Sequence, residues 1–206
     1  MTHLFHLFLL AVFAVGSAAA QGRIVSGDYG SLVIGIDAKG RLTGHFAEAL
    51  GVEDNGKPRF TCSFLLQAEK ATDDGSYNVM TWHPNSPAEP IFGTLRPTED
   101  GVVLKLNESH GGCGMAAPDI ASDEGQSFEL VRAGDWIGAG WVRSPKAYFH
   151  TSANAAARGK AFIVKDDRIV IYAKRSGWVE AEYTNEAGRT TRGWLKLDDL
   201  YPDEPF

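Results

Sequence analysis

The chain has 206 residues, 44% hydrophobic and 22% charged, with 23 glycines and 9 prolines. This composition excludes an intrinsically disordered chain, a collagen, a coiled coil and a polytopic membrane protein. The formal net charge of −6 leaves no basic footprint for a phosphate backbone, so no nucleic-acid partner is expected.

Residues 4–15 form an apolar run, followed by Gly16-Ser17-Ala18-Ala19-Ala20 and Gln21. This is the form of a secretory signal peptide over 1–20 ending in an Ala-x-Ala cleavage site, although no Lys or Arg precedes the run. The run is short for a membrane anchor, which needs about 20 apolar residues. The expected destination is the periplasm or the exterior, without membrane insertion after cleavage. In such an oxidising compartment the only two cysteines, Cys62 and Cys113, are expected to pair. Closing a loop of that size stabilises a fold by roughly 2–4 kcal/mol.

From residue 21 to 132 the chain reads as consecutive short strands, at 23–26, 31–37, 41–49, 59–66, 77–83, 91–95, 102–106 and 127–131. Turn chemistry separates them, as in Asp37-Ala38-Lys39-Gly40, Asp54-Asn55-Gly56 and Asp73-Asp74-Gly75. Alternation is clearest in Phe60-Thr61-Cys62-Ser63-Phe64, and one short helix candidate lies at 116–121. The expectation is an all-β fold whose first part is an antiparallel meander barrel of about eight strands. Gly27-Asp28-Tyr29, Leu32-Val33-Ile34 and Gly40-Arg41-Leu42-Thr43-Gly44-His45-Phe46 resemble the opening of avidin-type and other calycin barrels. The Trp-rich later strands of the avidin pattern are missing, so the resemblance implies barrel topology and not biotin binding.

Residues 133–145, with Gly134, Trp136, Gly138, Gly140 and Trp141, read as a connector whose tryptophans pack between two halves. Charge shifts here: residues 21–145 carry 10 basic and 17 acidic side chains, residues 146–206 carry 10 and 9. The second unit, 146–206, reads as five short strands. Gly177-Trp178-Val179-Glu180-Ala181-Glu182-Tyr183, Arg192-Gly193-Trp194-Leu195-Lys196-Leu197 and Asp198-Asp199-Leu200 resemble a bacterial SH3-like domain over about 146–201. Strand parity puts Val179, Ala181 and Tyr183 on one face and Trp178, Glu180 and Glu182 on the other. Leu195 and Leu197 likewise share a face opposite Trp194 and Lys196. The resemblance implies an aromatic groove carried by Tyr148, Trp178 and Tyr201, a peptide-binding platform of the kind that aromatic rings provide. The alternative role for these rings is packing against the first barrel.

Ser109-His110-Gly111-Gly112-Cys113-Gly114-Met115 resembles the L,D-transpeptidase signature, which implies a Cys113 thiolate with a histidine base. It departs from that signature by an extra glycine before Cys113, by Gly114-Met115 in place of an apolar-Arg pair, and by lacking the upstream His-Gly element. His110 and Cys113 supply two ligands where zinc takes three or four, and His45, His83 and His150 would have to converge on them. No metal or cofactor is therefore expected. Asp73-Asp74, Asp166-Asp167 and Asp198-Asp199 sit in turns, where a solvated loop is the default. Asn107-Glu108-Ser109 fits a glycosylation sequon that matters only in a eukaryotic host.

The function expected from the sequence is that of an exported, non-catalytic binding protein. It would recognise a protein or a peptidoglycan-derived ligand of the cell envelope, for example as an inhibitor or immunity protein of a lytic enzyme. The alternatives are a carrier holding a small apolar ligand in the barrel mouth and a cell-wall cysteine enzyme using Cys113.

Overall fold

The computed structural model describes residues 22–202; the expected leader at 1–20 lies outside them. The fold is all-β, as the strand and turn pattern predicts, and consists of two antiparallel sheets. The first holds β1 (Gly27–Tyr29), β2 (Leu32–Ile36), β3 (Leu42–Val52), β4 (Pro58–Ala68), β5 (Tyr77–His83), β6 (Ser86–Pro97), β7 (Gly101–Leu106), β8 (Gln126–Glu129) and β9 (Arg132–Ala133). Each strand from β1 to β7 pairs with the next in sequence. β9 returns to pair with β1, so the stretch 126–133 bonds to both ends of the meander and the sheet curls into a barrel-like shape. The expected first strand at 23–26 is not one; pairing starts at Gly27, where the chain meets both β2 and β9.

The turns follow their chemistry. In the turn before β3, Gly40 has φ 84°, its amide donates to the Asp37 carbonyl at 3.0 Å, and the Asp37 carboxylate accepts the Lys39 amide at 2.8 Å. Inside the barrel, Leu32, Ile34, Leu42, Phe46, Phe64, Leu66, Leu95 and Leu104 form one buried core. Phe46 stacks on Phe64 at 5.0 Å and meets Phe128 edge-on at 5.7 Å. These side chains face the interior of the curled sheet. Beyond β7, α1 (Cys113–Ala116) and a 3₁₀ turn (Pro118–Ala121) add Cys113, Ala116, Ala117 and Ile120 to the same core. The disulfide Cys62–Cys113, spanning 51 residues, staples this segment to β4.

The second sheet runs β10 (Gly138–Trp141), β13 (Arg168–Arg175), β14 (Trp178–Thr184), β15 (Thr190–Lys196), β11 (Lys146–His150), β12 (Arg158–Val164). Its core holds Val142, Ala147, Phe149, Ile163, Ile169, Ile171, Val179, Ala181, Leu195 and Leu200. Residues 138–141, expected in the connector, are instead the edge strand β10, because four consecutive residues pair with Arg168–Ile171 of β13. Leu197, expected beside Leu195, is 41% exposed. β15 ends at Lys196 and a 3₁₀ turn (Leu197–Asp199) breaks the two-residue period there.

The two units meet along the outer face of β2–β5. On β3, Leu42 and Phe46 point into the barrel, yet the outward Thr43 and His45 are also buried. The Ala139 amide donates to Thr43 Oγ1 at 3.2 Å, and the Trp136 indole N–H donates to the Ile34 carbonyl at 2.7 Å. A Cβ at Gly35 would overlap the backbone of Gly138, so bare glycine at 35 is what lets β2 and β10 approach this closely. Leu65, Trp82 and Trp141 form a separate buried cluster at this junction, which agrees with the expectation that the tryptophans of 133–145 pack between the halves.

Candidate functional site

The second sheet displays an outer face in which rings and cations alternate. On β14, Val179 and Ala181 are fully buried, while Trp178, Glu180 and Glu182 face outward and are half-buried. The register sets Trp178 opposite Lys196, Glu180 opposite Trp194 and Glu182 opposite Arg192. Across the next pairing, His150 lies opposite Trp194, and β12 sets Phe162 opposite Tyr148 and Arg158 opposite His150.

Side-chain contacts follow from that register. Trp178 meets His150 edge-on at 4.7 Å, and Tyr148 lies 5.7 Å from Phe162. Cations sit over the rings: Lys146 over Phe162 at 4.6 Å, Arg158 over Tyr148 at 4.7 Å and Arg175 over Trp194 at 5.5 Å. His150 is buried, and its Nδ1 lies 3.0 Å from the Asn154 carbonyl. A carbonyl only accepts, so Nδ1 carries a proton.

These side chains border a cleft of about 300 Å³ lined by Lys146, Tyr148, His150, Arg158, Lys196 and Asp199. Three cations face one carboxylate, and Asp199 is engaged by the Ser144 hydroxyl at 2.6 Å. In a chain of net charge −6 this is a local basic surface with aromatic walls. Of the three residues expected to form a groove, Tyr148 lines this cleft, whereas Trp178 is not in its lining and reaches it only through the edge-on contact with His150 and its register opposite Lys196. Tyr201 packs instead against Leu65, Trp82 and Trp141 at the junction. Phe162, 45% exposed, and Arg158 were not expected in the groove. Their place across from Tyr148 and His150 depends on the pairing of β12 with β11, which neither strand's own pattern reports.

The Ser109–Met115 motif lies elsewhere, beside α1. Cys113 is buried and disulfide-bonded, so no thiolate is present while the bridge is intact. The extra glycine has a structural use. Gly112 sits at φ 82° with its Cα against the Thr61 carbonyl, where a Cβ would clash, and this turn brings Cys113 to Cys62. His110 stacks on Phe64 at 4.8 Å and lies 2.7 Å from Thr81 Oγ1. The Thr81 hydroxyl already donates to the Ile91 carbonyl at 2.9 Å, so His110 Nε2 is the donor to Thr81. Burial, with His83 nearby, lowers the His110 pKa to about 4 and keeps the ring neutral. Among the described residues, no group of three or more His, Cys, Asp or Glu side chains is arranged to hold a metal ion.

Compared with known proteins, the chain matches no family model, no curated protein and no solved structure.

Proposed function

We propose that this is an exported, non-catalytic binding protein whose second, SH3-like unit recognises a protein or peptidoglycan-derived ligand of the cell envelope. The observation that carries the reading is the half-buried Tyr148 ring lining one cleft with Lys146, His150, Arg158 and Lys196, while the half-buried Trp178 ring stands edge-on to His150 and opposite Lys196. Aromatic rings fixed beside cations supply large contact area at low entropic cost and a preference for carboxylate-bearing partners. The Cys62–Cys113 bridge is compatible with an oxidising compartment, which supports export and a partner there. Neutralising a lytic enzyme is one use that this compartment and architecture suit.

The test is capture from envelope extract with the mature chain as bait, run beside Tyr148→Ala, Trp178→Ala and a Leu130→Ala control on the other unit. One band retained by wild type and the control but lost by both ring variants supports the reading. An identical set of bands for all four baits overturns it. Loss of the captured partner's muramidase activity on adding the mature chain would identify the lytic-enzyme use.

A further inference from the structure

A second cleft, of about 330 Å³, lies at the junction of the two units and shares no lining residue with the Tyr148 cleft. Its floor is the outer face of β3 and β4, where Ala47 pairs with Ser63 and Ala49 with Thr61. These short side chains leave space above the sheet and offer two hydroxyls. The turn after β5 brings the exposed amide of Asn85, and the second unit brings Trp141, Asp166 and Arg168.

Two features of this lining stand out. Trp141 borders the cleft with only 5% of its surface exposed, and its indole N–H is buried without an acceptor in the protein; an unmet buried donor costs about 1–3 kcal/mol. Asp166 is a non-glycine residue held at φ 71°, with its amide donating to the Val142 carbonyl at 2.8 Å. Strained positions of this kind cluster at binding sites. The volume falls at the low end of ligand pockets, and junctions between domains are a usual place for them.

The chemistry of the lining selects the ligand class. Asp166 and Glu48 bring carboxylates, Glu48 held by the Ser31 hydroxyl, and Arg168 brings a guanidinium that also faces Asp167. A ligand of strong net charge would meet repulsion from one sign or the other, whereas a polyol can donate to a carboxylate and accept from the guanidinium. The Asn85 amide and the Ser63 and Thr61 hydroxyls extend the same alternation of donors and acceptors around small apolar patches. We infer that the junction cleft, between Asn85 and Ser63 on the barrel and Trp141, Asp166 and Arg168 on the second unit, is a binding site for an uncharged saccharide. This inference does not rest on the Tyr148–Trp178 reading.

The test is titration of the full mature chain with chitotriose and, separately, cellotriose, followed by tryptophan fluorescence and calorimetry, with alanyl-alanine as a zwitterionic control. At least one trisaccharide should give saturable binding. Asn85→Ala and Asp166→Asn should weaken it about tenfold or more, since each removes a polar contact to the ligand. Asparagine tolerates the left-handed backbone, so the second variant keeps the turn, and Asn85 is exposed, so the first leaves the core intact. Trp178→Ala should leave saccharide affinity unchanged. Absence of saturable binding by either trisaccharide, unchanged affinity in both cleft variants, or equal binding of alanyl-alanine would each overturn the saccharide assignment.

Discussion

The two sheets solve different problems with the same material. The first sheet turns its large side chains inward, closes on itself through residues 126–133 and fixes one covering segment by a disulfide. The second sheet has a smaller core and displays four rings, Tyr148, Phe162, Trp178 and Trp194, on its outer face, each beside a cation or His150. Small cores bury less surface and are marginal alone, so rings placed outside carry a cost in stability that the first unit offsets by lending its outer face. Residues 136–141 make that loan, through Trp136 on Ile34 and β10 on β3. Under the proposed function, the first unit would stabilise and the second would recognise.

Breaking the junction should give the largest effect. Trp136 is buried and hydrogen-bonded, so Trp136→Ala should cost about 3–5 kcal/mol in urea melts and raise hydrogen exchange in β10 and β13. If the cost is below about 1 kcal/mol, the second unit does not depend on the first. Next comes the disulfide: Cys62→Ser with Cys113→Ser should cost roughly 2–4 kcal/mol. Exchange should rise in 107–121 and not in β14 or β15, and the native protein should show no thiol to Ellman's reagent before reduction. Equal loosening of both sheets would contradict the division drawn above.

Acid should probe the same junction. His45 is buried under the second unit, and desolvation, with Arg168 nearby, lowers its pKa from 6.5 to about 3. Above pH 6.5 both folded and unfolded states hold the ring neutral, and stability is complete. As pH falls from there towards about 3, the unfolded chain takes up a proton that the folded chain refuses, so stability drops by up to about 1.4 kcal/mol per pH unit. His110, lowered to about 4, acts in the same direction within the first unit. Urea midpoints measured against pH should fall over this window, and His45→Gln should flatten the slope. An unchanged slope in that variant would mean that His45 is not the group being titrated.

The smallest expected effect separates core from display. Val179 is fully buried and Trp178 half-buried on the opposite face of β14. Val179→Ala should cost about 1–3 kcal/mol, and Trp178→Ala under about 1 kcal/mol in folding while removing 2 kcal/mol or more from partner binding. A larger loss of stability in the tryptophan variant would make Trp178 a packing residue.

Local chemistry in the chain was enough to determine several things. The Asp- and Gly-bearing turns and two-residue alternation specify an all-β meander, two cysteines leave one intramolecular pairing, and parity in β14 separates Val179 and Ala181 from Trp178. Each of these depends on neighbours in sequence, where the backbone's own geometry does the sorting. The tertiary structure alone decided what lies against the second face of a strand. Thr43, His45 and Leu65 occupy positions that alternation assigns to solvent, and they are buried because β10 and Trp141 arrive from some ninety residues away, as the separation of 96 between Thr43 and Ala139 illustrates. The fate of 138–141 was decided in the same way, since a glycine-rich stretch reads as a linker until β13 offers it a ladder and Gly35 offers it room. The junction cleft is invisible in sequence for that reason too: Ser63, Asn85, Trp141 and Asp166 belong to no common motif, and only the docking of one sheet on the other brings them to one place.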